Sequence, residues 1–183
     1  MTEPHYCDHA IHGTLEGMNL LESLQGFVLG LPEAIQFLGV ALAAMVPFVE
    51  NYGAVVIGSI AGIPIWAAVV MAIIGNVAIV ALITLISGST RDAVIARKAG
   101  AETQEPAAEN SRRECVRRLF DRYGIPGVTL FGMLFVPTHF IAVALVSFGS
   151  SRTGVIVWHA IAITLYAVVT GALMAGLFSL TGA

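Results

Sequence analysis

The stretch Pro64-Ile-Trp66-Ala-Ala-Val-Val-Met-Ala-Ile-Ile-Gly75-Asn76-Val-Ala-Ile-Val80-Ala-Leu-Ile-Thr84-Leu-Ile-Ser87 runs for 24 residues without a charge. As a helix it extends about 36 Å, enough to cross the roughly 30 Å hydrocarbon core of a bilayer. Proline at its first turn and a tryptophan near its start are what a helix beginning at a membrane interface calls for. The rest of the chain shares this character. Of its 183 residues 57% are hydrophobic and 11% charged, the mean hydropathy is +0.84, and soluble domains carry about 25% charged residues. The sequence predicts an all-α integral membrane protein.

The segments on either side are apolar but broken. Glu33 to Gly62, read as one unit, is interrupted by Pro47, Glu50, Asn51 and Gly53. It is longer than one straight span requires, and each half is too short to span alone. A re-entrant helical hairpin over 33–62, with Glu50 near its tip, resolves the conflict. Farther along, 125–149 is interrupted by Pro137, Thr138 and His139, and 153–177 is again a full-length span with Trp158 near its start. The order hairpin, span, hairpin, span is the pattern of an inverted repeat, whose site lies where broken helices meet. Residues 19–183 are therefore read as one membrane domain: hairpin 33–62, span 64–87, basic loop 88–123, hairpin 125–149 and span 153–177.

Charge orients this arrangement. All nine Lys and Arg lie between Arg91 and Arg152, eight of them within 88–123, so this loop is expected to be cytoplasmic by the positive-inside rule, with both termini on the outer side. In it Val116, Leu119, Phe120 and Tyr123 recur at helical spacing while Arg117, Arg118, Asp121 and Arg122 face away. With Arg112 and Arg113 they predict a basic amphipathic helix on a surface of anionic lipid. Ala99 to Pro106 reads as a linker. Before the first hairpin, Glu22, Gln25, Glu33 and Gln36 share one helical face opposite Leu21, Phe27, Leu31 and Ile35, which predicts an interfacial helix broken at Pro32.

Pro47-Phe-Val-Glu50, then Ile57-Gly58, Gly62-Ile-Pro64-Ile-Trp66 and Gly75-Asn76 resemble the small multidrug export proteins, distant relatives of the DedA-type membrane proteins. Arg122-Tyr123-Gly124-Ile-Pro-Gly127 and Val136-Pro137-Thr138 are similar to that family's second half, so the resemblance covers residues 34 to 177. It implies a transport fold in a bacterial inner membrane and proton-coupled export or translocation of a phospholipid carrier. The second tip departs from the DedA pattern, because Leu134 to Phe140 carries His139 where better-studied relatives carry arginines.

Several residues are candidates for chemistry. Glu50 is the one acid deep in an apolar tract of the first half, where an ionised carboxylate is costly, so it reads as a proton carrier or cation ligand unless it sits at a shallow wet turn. His139, at the matching place in the second tip, is expected to meet Glu50 and to share a proton or an ion pair with it, being of a type that exchanges protons near neutral pH; the competing reading is a packed or interfacial histidine. Pro47, Asn51, Asn76, Pro137 and Thr138 complete the expected substrate or ion site, although the polar ones and Thr164 equally suit helix-to-helix hydrogen bonding. His159, beside Trp158, reads as interfacial.

Residues 1–18 form a polar tail in which His5, Cys7, His9 and His12 have the residue types of a divalent-metal site without matching a zinc signature; otherwise no cofactor is expected. The two cysteines, Cys7 and Cys115, are too few for a disulfide framework. No phosphate loop, catalytic triad spacing or nucleotide fingerprint occurs, so the chain reads as a carrier of a small molecule or lipid driven by an ion gradient rather than an enzyme. The alternative is a non-transporting subunit or scaffold of a membrane complex, and either could form a homo-oligomer.

Overall fold

Proline and glycine set the helix boundaries. A computed structural model describes residues 20–97 and 107–182, and the histidine-bearing tail and the core of the linker lie outside these. Among the described residues the chain is all helical, with no strand. Helix α1 (Leu20–Gly30) stops before Pro32, whose extended backbone (φ −53, ψ 139) caps a short 3-10 turn at Glu33–Ile35. Helix α2 (Gln36–Ala44) follows, then α3 (Glu50–Ile60), α4 (Ile65–Arg97), α5 (Ala107–Gly132), α6 (Thr138–Ser147) and α7 (Arg152–Thr181). Pro64 immediately precedes α4, and Pro137 (φ −55, ψ 142) caps α6. Proline preorganises the first turn at these positions, where its missing N–H costs nothing.

The two hairpins end in the same motif. After α3, Gly62 (φ 80) turns left-handed, its amide donates to Ser59 O at 3.2 Å, and the Ile63 amide donates to Gly58 O at 3.1 Å. After α6, Gly149 (φ 96) donates to Val146 O and Ser150 to Leu145 O, both at 3.1 Å. This is the Schellman close, which satisfies terminal carbonyls and favours glycine because only it adopts that φ freely. In both cases a long helix begins three residues later, at Ile65 and at Arg152.

The chain packs as two units, Met1–Ala72 with Ala167–Ala183, and Ile73–Tyr166. In the first, α2 packs on α3 through small residues: Val40, Ala43, Ala44, Ala54 and Val55 are all but fully buried. Close approach is enforced by glycine. A Cβ on Gly58 would lie 2.8 Å from Ala68 Cβ and 3.0 Å from Val40 Cγ2, and one on Gly171 would lie 2.5 Å from Val69 Cγ2, so α3 and α7 each meet the start of α4 backbone-close. Val28 of α1 is fully buried and lies within 3.2 Å of the space a Gly39 side chain would need. In the second unit α5 packs on α6, around Val128, Ile141, Leu145, Val155 and Ile163, with Phe120 and Phe148 at the edge.

Two helices are long and apolar enough to cross a membrane, by length and composition: Ile65–Ser87 within α4, of mean hydropathy 2.8, and Arg152–Thr181, of 2.1. Only 28% of the apolar stretch in each is buried. Trp66, Ile74, Leu82, Ile86, Leu165, Leu173 and Leu180 are instead exposed.

Three features differ from the sequence reading. Helix α4 does not stop at Ser87 but continues to Arg97, ten residues into the segment read as loop, because residues 89–97 contain neither glycine nor proline and include the strong helix formers Ala and Arg. On the other side of the linker, α5 starts at Ala107 and breaks at Gly124 (φ 66, ψ −166), two residues before Pro126. The second hairpin therefore joins the basic helix across a kink. His159 is fully buried rather than interfacial.

If the glycine contacts set the helix spacing, Gly58→Ala should destabilise the protein by about 1–3 kcal/mol through overpacking. Gly26→Ala, on α1 with nothing within 4 Å of the added carbon, should be neutral or gain up to about 1 kcal/mol from helix propensity. Thermal unfolding of the purified variants measures both.

Candidate functional site

The tip of the first hairpin is built by a tight chain reversal. The Val46 amide donates to Ala43 O at 3.1 Å, and both Val49 and Glu50 donate back to Val46 O, at 3.2 and 3.1 Å. Closing this turn puts two non-glycine residues in the left-handed region, Phe48 (φ 73) and Glu50 (φ 50). Such a conformation costs an L-residue about 1–2 kcal/mol and persists where the surroundings over-determine it, which is common at functional sites. Pro47 and Phe48 are exposed, whereas Val49, Glu50 and Asn51 are buried, Glu50 and Asn51 completely. The turn thus points a proline and a phenylalanine outward and drives a carboxyl group inward.

Glu50 occupies the first turn of α3, where the helix dipole favours negative charge. Its carboxyl group interacts electrostatically and through a side-chain hydrogen bond with Tyr52, a residue that the sequence reading did not single out. Val49, which precedes Glu50 in the turn, and Ala54, one turn farther along α3, are buried as well.

The second unit contains its own buried polar set. Thr138 opens α6 directly after Pro137, and its Oγ1 lies 3.4 Å from Asn76 Oδ1 and 3.3 Å from His139 Nδ1. Asn76 and Thr138 are fully buried and His139 nearly so. With the Thr138 hydroxyl donating to the Asn76 carbonyl oxygen, His139 donates through Nδ1 to Thr138, leaving Nε2 as the acceptor of the neutral ring. The sequence-predicted residues Asn76, Thr138 and His139 are thus brought together, 62 residues of chain separating the hydrogen-bonded pair. Pro47, Glu50 and Asn51 are brought together in the first unit.

Other polar residues are used locally. His159 Nδ1 donates to Val155 O, one turn back in its own helix, at 2.8 Å. Thr164, exposed, bonds to Ala160 O at 2.7 Å, so its hydroxyl serves α7 itself. Thr84 is fully buried and its hydroxyl has no hydrogen-bond partner among the described residues; its only sequence signal was a hydroxyl inside the uncharged stretch. On α5, Arg117, Arg118, Asp121 and Arg122 are exposed, the Arg122 guanidinium lies over the Tyr123 ring at 5.3 Å, and Phe120 packs on the core. Arg112 and Arg113 fall on the same helix. The tail residues His5, Cys7, His9 and His12 lie outside the described residues; among the described residues no three metal-ligating side chains cluster.

Compared with known proteins, the chain matches no family model, no curated sequence and no solved structure.

Phe48 provides a direct probe of tip strain, because it is 60% exposed and gives up little packing when truncated. Phe48→Gly should be more stable than Phe48→Ala by about 1 kcal/mol, the left-handed penalty less the entropy of the added glycine. Equal unfolding temperatures for the two variants would show that the tip carries no such strain.

Proposed function

We propose that this chain is an integral membrane protein that moves a small molecule or lipid across a bilayer, coupled to a proton or cation exchanged at Glu50 and His139. The observation that carries the proposal is Glu50, a fully buried carboxyl group on a left-handed tip, between helices of 9 and 11 residues. Neither of those helices is long enough to cross a bilayer core of roughly 30 Å. An acid is expensive in that setting and is retained where it carries charge or protons. The Asn76, Thr138 and His139 set supplies a second exchangeable group, at the corresponding place in the repeat.

In this reading the exposed apolar surfaces of α4 and α7 face lipid, and the hairpins are re-entrant. The basic segment lies on the cytoplasmic side, where Arg117, Arg118 and Arg122, with Arg112 and Arg113, meet anionic headgroups. The resemblance to small multidrug export and DedA-type proteins supports the transport class and a bacterial inner membrane. The runner-up is a non-transporting subunit of a membrane complex, favoured by the same exposed apolar surface, which a partner protein could cover.

Proton flux separates the two. In proteoliposomes containing a trapped pH-sensitive dye, Glu50→Gln should abolish protein-dependent flux with normal expression and helicity, and His139→Ala should shift the pH dependence of flux rather than only lower it. Flux unchanged in Glu50→Gln, or absent from the wild-type protein, supports the subunit reading.

A further inference from the structure

The first unit contains a groove that none of the chemistry above uses. Its volume is about 680 Å³, within the usual range for small-molecule sites, and Glu33, Gln36, Phe37, Trp66, Val70 and Met71 contribute to its lining. All of these belong to the first unit, and the prolines before the 3-10 turn and before α4 position its two principal edges.

The lining has a definite chemical bias. Glu33 brings a carboxylate. Gln36 donates through Nε2 to Leu31 O at 3.1 Å, which fixes the amide and leaves its carbonyl oxygen as an acceptor. Phe37 and Trp66 supply aromatic rings, Trp66 being 73% exposed, while Val70 and Met71 continue the groove along α4 as an apolar strip. No lysine or arginine lines it, and none is present anywhere in the unit: the nine basic residues all lie between Arg91 and Arg152, whereas the described residues of the first unit include the acids Glu22, Glu33 and Glu50. Glu33 therefore has no lysine or arginine partner within its own unit.

A carboxylate, an amide oxygen and aromatic faces at one end of an apolar strip are complementary to an organic cation attached to a hydrocarbon chain. The cation gains from the ring quadrupoles, most strongly from tryptophan, and the chain from apolar contact. We propose that this groove binds an alkylammonium group borne on an alkyl or acyl chain, the ammonium against Glu33 and Trp66 and the chain along Val70 and Met71. The site is separate from the Glu50 tip. It requires that the chain resides in a membrane, but not that it transports.

The test uses the full chain purified in a non-ionic maltoside and radiolabelled dodecyltrimethylammonium, with the neutral analogue in which carbon replaces nitrogen as competitor. The expected result is one saturable site per chain that the neutral analogue does not displace at equal concentration. Glu33→Gln and Trp66→Leu should each weaken it on the order of tenfold, and Glu22→Gln, an exposed acid outside the groove, should leave it unchanged. Non-saturable binding, or equal affinity in all variants, overturns the proposal. Two independent variants keep the outcome readable if one fails to fold.

The same assay in nanodiscs with a fixed phosphatidylglycerol fraction, the balance being phosphatidylethanolamine or a neutral glycolipid, distinguishes the sources of the ligand. Weaker probe binding with phosphatidylethanolamine assigns the groove to a lipid amine headgroup, and equal binding assigns it to a free amphiphile. Failure of the membrane reading would appear separately, as protein recovered in aqueous extracts of membranes.

Discussion

Among the described residues, helices α4 and α7 leave a large part of their apolar surface uncovered, and apolar surface on that scale marks contact with something other than water. Either lipid or a partner must cover it, and the remaining features follow from that requirement. Charges are confined to 91–152 and to acids of the first unit, and the stretch 64–87 of α4 contains none. Backbone groups that an apolar medium would leave unsatisfied are closed within the helices, and at the ends of both hairpins by the Gly62 and Gly149 motifs. Where helices meet, as at Gly58 and Gly171, glycine lets the backbones approach closely.

Against this background, the buried polar groups are few and localised. In the first unit Glu50 and Asn51 sit at a hairpin turn held in strained geometry, with Tyr52 as a partner. In the second, Asn76, Thr138 and His139 cluster beside the corresponding turn. Under the proposed transport function these are the places where a proton or cation can be taken up at an energetic cost that the surrounding packing offsets. The lined groove at Glu33 and Trp66 supplies a different chemistry, recognition of a cation with a hydrocarbon tail, in the same unit, which has no lysine or arginine.

Much of the helix plan was legible because backbone-restricting residues write it directly: Pro32, Pro64 and Pro137 mark helix starts, and Gly62 and Gly149 mark stops, whatever the tertiary context. The buried state of Asn76 and Thr138 was also legible, as polar residues in otherwise apolar runs. The continuation of α4 to Arg97 was not, since the sudden change to charge at Arg91 looks like a loop although the residues favour helix. Burial of His159 depends on what packs on α7, and its neighbour Trp158 pointed to an interface instead. The left-handed backbone at Phe48 and Glu50 had no signal at all: neither residue prefers it, and only the closed turn imposes it. The groove escaped notice for a similar reason, being assembled from Glu33 and Trp66 across 33 positions of sequence.

The central claim is that the uncovered faces of α4 and α7 lie against lipid. Spin labels at Ile74→Cys and Leu165→Cys, both exposed, can be introduced in a background lacking Cys7 and Cys115 and reconstituted in liposomes. Their relaxation by oxygen, which concentrates in the bilayer, is then compared with relaxation by a water-soluble nickel chelate. The account predicts strong oxygen and weak nickel relaxation at both positions; stronger nickel than oxygen relaxation at either would place that face in water and contradict it.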